Sequence, residues 1–264
     1  CFVVRRVERL TVVLRQDQSF EDNASNAGRV TSTNLTGRGR MKRSFGIAIT
    51  LLLCCSVASA QGLSVGANMG SWDIPDPEGR GSLSAEGTGF YVSVMGKLSG
   101  VPVSVVGSHS SFNADEVTLR LGSGSVVRGG DSFASLLKVL VAYHLPESPL
   151  AVGLGFVEQY IELGEMTFTT SGLSVGACGS TPLSDKLDIA GEFSYLPSAN
   201  LKATRPGTED YDAEFSGYAI DLSGSYQVTN ELAIEVGYRS SAVNRPDDST
   251  LKTGGTYVGA KLRL

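Results

Sequence analysis

The chain has 264 residues, 32 of them Gly, with 41% hydrophobic and 19% charged residues. Its formal charge of −5 and ample apolar content exclude a disordered polymer, and 9 Pro without a three-residue Gly period exclude collagen. An acidic balance, which becomes more acidic beyond residue 60, argues against a nucleic-acid partner, because phosphates demand a basic patch.

In chain order, residues 1–40 start on Cys1, lack a targeting pattern, and read as a start-site artefact or disordered extension. Residues 41–60 read as a signal peptide. Met41-Lys42-Arg43 is its basic head, Ile47 to Cys55 its apolar stretch, and Ala58-Ser59-Ala60 its small-residue cleavage site. The apolar stretch is too short for a membrane helix, which needs ~20 residues. Residues 61–264 form the exported domain. Cys178 is its lone cysteine, so no internal disulfide can brace it.

From Leu63 onward the pattern alternates with period two. Strands are expected at Leu63–Met69, Phe90–Leu98, Val101–Val105, Phe133–Leu145, Leu150–Phe156, Phe168–Ala177, Leu187–Tyr195, Phe215–Tyr226, Leu232–Tyr238 and Tyr257–Leu264. Residues 117–127 could add a hairpin, so eight or twelve strands are alternatives to ten. Short links near 99–100, 146–149, 179–184 and 228–230 contrast with longer polar ones at 73–86, 113–130, 197–211 and 244–253. The link at 163–166 is a short exception. This asymmetry predicts an all-β, closed antiparallel transmembrane barrel with periplasmic turns and external loops. Closure follows from hydrogen-bond accounting, since an open edge in lipid leaves backbone groups unpaired at several kcal/mol each. A secreted β-sandwich is the competing architecture.

Successive side chains of a strand point to opposite faces, so an apolar face turned to lipid turns the other register inward. That rule assigns Lys97, Lys138, His144, Asp188, Glu192, Asp221, Glu235, Arg239, Lys261 and Arg263 to the lumen. Their signs nearly balance, which suits either a packed ionic network or a lined solute path. Trp72, Phe90, Phe112, Phe133, Tyr160, Phe168, Tyr195, Phe215 and Tyr238 are expected as an external aromatic girdle, with Tyr143 and Tyr226 at the periplasmic side.

Catalytic signals are weak. With only His109 and His144 available, a multi-histidine metal site is excluded. His109 near Asp115 and Glu116 could form an acid–base group at the external rim; His144 near Ser148 shows no oriented triad. Gly122-Ser-Gly124 and Gly129-Gly130 lack the Gly-Lys-Ser/Thr of a phosphate loop. The acidic run Glu209-Asp210-Tyr211-Asp212 with Glu214 matches no calcium loop and reads as solvated. No cofactor is implied, and the chain is not expected to be an enzyme.

The ending Gly259-Ala-Lys-Leu262-Arg-Leu264 resembles the terminal assembly signal of bacterial outer-membrane barrels, with Leu264 where an aromatic residue is usual. The resemblance implies outer-membrane lipids, the barrel-assembly machinery and periplasmic chaperones as partners. Gly191-Glu192 with Tyr195 and Pro197, Glu235-Val-Gly-Tyr-Arg239 and Tyr257-Val-Gly259 resemble the YfaZ family of small outer-membrane proteins. That family is porin-like and has no settled activity, so it transfers no catalytic residue. The resulting expectation is a bacterial outer-membrane barrel, structural or passing small solutes. The alternatives are a surface adhesin using the loops at 73–86, 113–130 and 197–211, and a barrel hydrolase.

Overall fold

The computed structural model describes residues 59–75, 81–98, 100–121, 124–204, 211–244 and 250–263. Ten strands, β1(Ser59–Pro75), β2(Gly81–Lys97), β3(Val103–Leu121), β4(Gly124–His144), β5(Leu150–Leu163), β6(Met166–Pro182), β7(Leu187–Thr204), β8(Tyr211–Gln227), β9(Leu232–Asn244) and β10(Thr250–Arg263), follow one another. Each pairs antiparallel with its sequence neighbour, and β1 pairs with β10, closing the barrel. Ser59 and Arg263 lie at one end, called lower here; the opposite end is upper. Residues 1–58, the other expected segments, lie outside the described residues, as do 122–123, 209–210 and Leu264. Regular β1 pairing runs from Gly62, just past a register shift at Gln61.

The strand cores match the expected segments, but most strands continue further at the upper end. Leu121 pairs with Gly124, so residues 117–127 prolong β3 and β4 rather than adding strands. The long polar loops expected at 73–86, 113–130 and 197–211 are therefore mostly strand, and that at 244–253 is strand at half of its positions. The upper links span only two to six residues, and the lower ones four or five. Between β5 and β6 the link is Gly164-Glu165, with Gly164 at φ 56°, where a Cβ would be strained.

The extension has a physical origin in the side-chain pattern, which inverts partway up the wall. In β1, Leu63, Val65, Ala67 and Met69 face outward and Ser64 and Asn68 inward; above them Ser71 and Asp73 face outward while Trp72 and Ile74 face inward. In β2, Phe90, Val92 and Val94 face outward below, and Glu86 and Thr88 above them, where Leu83 and Ala85 turn inward. The same exchange occurs in β3 between His109 and Phe112 and in β5 between Phe156 and Ile161. Each of these strands thus carries a lipid-type pattern at the bottom and a water-type pattern at the top. The alternation holds; its phase changes.

Inward side chains of the upper half form one apolar core. Trp72, Ile74, Phe112, Ile161, Phe168, Leu201, Phe215, Val243 and Leu251 belong to it. Trp72, Phe112, Phe168 and Phe215 were expected in the external girdle; the register turns them into the barrel instead, because they follow the inversion. Phe112 lies over Gly70, where any Cβ would meet its ring at 2.2 Å.

Candidate functional site

The outward lower face is apolar in every strand. It runs over Leu63–Met69, Phe90–Val94, Val103–His109, Leu137–Tyr143, Val152–Phe156, Leu173–Ala177, Leu187–Tyr195, Tyr218–Tyr226, Leu232–Tyr238 and Val258–Leu262. Among these described residues no Asp, Glu, Lys or Arg faces outward. Leu173 at 76%, Leu154 at 69% and Met69 at 67% exposure would be costly in water. Five to nine residues at ~3.3 Å, tilted about 40°, give a band of about 13–23 Å, whose tallest strands approach the ~25 Å of an outer-membrane barrel. Tyr195 and Tyr238 edge it above, Tyr143 and Tyr226 below.

Opposite this band lies the polar layer. The register turns Lys97, Lys138, Asp188, Glu192, Asp221, Glu235, Arg239, Lys261 and Arg263 inward, and His144 with them. Lys138 on β4 reaches across the lumen to Glu192 Oε1 on β7 at 3.3 Å and Asp221 Oδ2 on β8 at 3.7 Å. Arg239 donates through Nε to Asp221 Oδ2 at 2.8 Å, and its Nη2 bonds the same oxygen. The Tyr257 hydroxyl donates to Asp221 Oδ1 at 2.9 Å. Lys261 Nζ is 3.6 Å from Glu235 Oε1, whose carboxylate also meets the Tyr91 hydroxyl at 3.4 Å. Nearer the lower mouth, Arg263 bonds Asp188 and, at 3.2 Å, Gln227. Lys97 is exposed at that mouth, apart from the network.

Two inward tyrosines are missing from the lumen set that alternation assigns. Tyr91 and Tyr257 stack with centroids 4.0 Å apart, and the Arg239 guanidinium lies 4.7 Å from the centroid of the first and 5.7 Å from that of the second. Stacking lets a buried guanidinium keep favourable contacts on its faces while its edge bonds Asp221. Tyr91 stands between outward Phe90 and Val92, so its inward register was available from alternation.

The two histidines lie apart from the partners that nearness along the chain suggests. His109 pairs with Val92 and Leu137 on the outward face, at the top row of the apolar band, and packs 5.6 Å from Phe90. Asp115 and Glu116 lie further up β3, at a register shift between Ala114 and Glu116. It is 0% exposed, and both ring nitrogens lack hydrogen-bond partners. His109→Leu is therefore expected to stabilise the barrel by up to about 1–3 kcal/mol, read as a higher unfolding midpoint in urea. A lower midpoint would mean that the ring has a polar partner. His144 Nε2 lies 2.6 Å from Ser104 Oγ, not against Ser148.

At the closure seam, Gly259 faces inward opposite Gly66, and Leu262 outward opposite Leu63. The Ser240–Asn244 segment of β9 and Thr250–Thr256 of β10 continue the seam's neighbourhood into the upper half. Among the described residues no group of three or more His, Cys, Asp or Glu could hold a metal ion.

No protein-family model and no curated protein matches the chain. Solved structures do. The outer membrane protease OmpT from Escherichia coli has a TM-score of 0.54 at 11% identity, covering 78% of this chain and 97% of that chain. The translocator domain of autotransporter NalP from Neisseria meningitidis has a TM-score of 0.42 at 12% identity over 88% and 98%. Ail of Yersinia pestis has a TM-score of 0.38 at 13% identity over 77% and 99%. The protease comparison shows that the chain has the fold of a bacterial outer-membrane β-barrel.

Proposed function

We propose that the chain is a structural protein of the bacterial outer membrane: a filled barrel that crosses the bilayer with its lower half and stands out of it with its upper half. The observation that carries this reading is the inversion of the side-chain pattern. A single-phase barrel buries one face against lipid throughout, whereas here the top of each strand is built like a soluble barrel around its own core. With an even strand number, the lower end with its turns is periplasmic and the upper end external.

Of the two roles expected, structural support and porin-like passage, the interior favours the first. The core around Trp72 and Phe112 fills the upper lumen, and the Lys138 brace crosses the lower one. Planar-bilayer recording is expected to show no steady conductance; an ohmic, stepwise current would restore the porin-like reading. Such passage is what the YfaZ-like segments imply, and three of their residues, Glu192, Glu235 and Arg239, sit in the polar layer. Insertion would draw on outer-membrane lipids, the barrel-assembly machinery and periplasmic chaperones.

A second reading, surface binding, rests on the exposed outward wall of the upper half, where Ser71, Glu86, Thr88 and Asn113 face solvent. The wall, rather than long loops, would be the contact surface. No hydrolytic role is proposed, since neither histidine has a carboxylate partner among the contacts described.

A further inference from the structure

Between the apolar core and the polar layer lies a small cavity. Asn68, Ser110, Phe112, Leu136, Arg239 and Thr253 line it, and it has room for about one small occupant. Phe112 comes from the apolar core above; Arg239 belongs to the ionic layer below.

The donors around this space are uncommitted in a particular way. Arg239 is 2% exposed and spends Nε and Nη2 on Asp221, but its Nη1 has no hydrogen-bond partner. Asn68 donates one N–H to the Ser111 carbonyl at 3.3 Å and keeps a second. Thr253 Oγ1 accepts from Gln159 Nε2, so its own hydroxyl proton is left to donate. No carboxylate lines the cavity. Asp221 is turned to Arg239, Lys138 and Tyr257, Glu192 to Lys138, and Glu235 to Lys261 and Tyr91. The space is therefore lined by one guanidinium, an amide and hydroxyls that can each donate into it, and by no carboxylate, the nearby carboxylates being engaged with Arg239, Lys138, Lys261 and the tyrosines.

We propose that this cavity binds one small monovalent anion of the halide class. A buried guanidinium edge without a partner costs the full desolvation of its donors, and a halide satisfies several donors at once without needing a donor of its own. The proposal stands on the barrel interior and is independent of whether the protein conducts solutes.

The test compares the full-length exported barrel in sodium bromide, sodium chloride and sodium gluconate at equal concentration. Gluconate matches the ionic strength but is too large to enter. The wild-type unfolding midpoint should rise with bromide or chloride concentration relative to gluconate, as expected for an occupant that binds only the folded state. Asn68→Ala and Arg239→Lys should each abolish that halide-specific difference; Asn68→Ala removes no charge and keeps the test open should the arginine variant fail to fold. Crystals grown in bromide should show an anomalous peak beside Arg239 Nη1. Equal midpoints in halide and gluconate, or density there without anomalous signal, would assign the cavity to water and overturn the proposal.

Discussion

Asp221→Ala is expected to destabilise the barrel by about 3–5 kcal/mol, the range for removing one partner of a buried ion pair. Asp221 accepts from Arg239 and Tyr257 and faces Lys138, so its loss strands a guanidinium that is 2% exposed. The cost arises mainly from that uncompensated charge, not from the pair's net attraction. Combining Asp221→Ala with Arg239→Met removes both charges and should recover much of the loss, giving, with the two single variants, a strongly non-additive cycle. Urea unfolding of the detergent-folded protein, followed by its heat-sensitive gel mobility, measures both. If the double variant is as unstable as the sum of its parts, the Asp221–Arg239 coupling is not what organises the polar layer.

Trp72→Ala should cost a similar ~3–5 kcal/mol, for a different reason. Trp72 is 1% exposed in the upper core, and its Nε1 donates to Ser132 Oγ at 3.2 Å. Truncation leaves a cavity within a closed shell of strands and an unpaired hydroxyl. Met69→Ala, three residues earlier on the outward face, should cost much less, because lipid can fill the space left by its side chain. Equal effects in the same unfolding assay would mean that Trp72 is not part of a packed core and would weaken the case for a filled lumen.

How far the sequence could be read depended on the phase of its alternation. Leu63, Val65, Ala67 and Met69 announce a strand, and that phase carries Lys138, Asp221 and Arg239 to the inward face. Trp72 breaks the phase by arriving three residues after Met69, and an apolar residue out of step looks like a loop or a girdle aromatic. The same break at Phe112 made residues 113–130 read as a long polar loop, although they are mostly strand with a bulge at 114–116. Pairs between distant strands, such as Lys138 with Glu192, were illegible because they depend on which walls face each other after closure. His109 misled for a simpler reason. Nearness along the chain to Asp115 and Glu116 suggested a site, whereas its own parity with Val105 already placed it outward.

The lower turns illustrate a further limit. Glu147 adopts φ 57° in the 145–149 link, a left-handed conformation that Pro146 and its flanking polar residues do not by themselves specify. Hydrogen bonds of Leu145 N to Leu150 O and Ser148 N to Leu145 O close that link, and they become visible only with both strands in place.

The central claim is that lipid contact ends within each strand, at one level around the barrel. A nitroxide scan of the protein in bilayers, with Cys178 replaced by Ser, reads it directly. Labels at Val65, Val92, Val139, Ile189 and Ile234 should be accessible to oxygen from the acyl region, while labels at Ser71, Glu86, Thr88 and Asn113 should be accessible to a water-soluble relaxant. Acyl-type accessibility continuing through Asp73 and Glu86, or water-type accessibility at Val139 and Ile234, would contradict it.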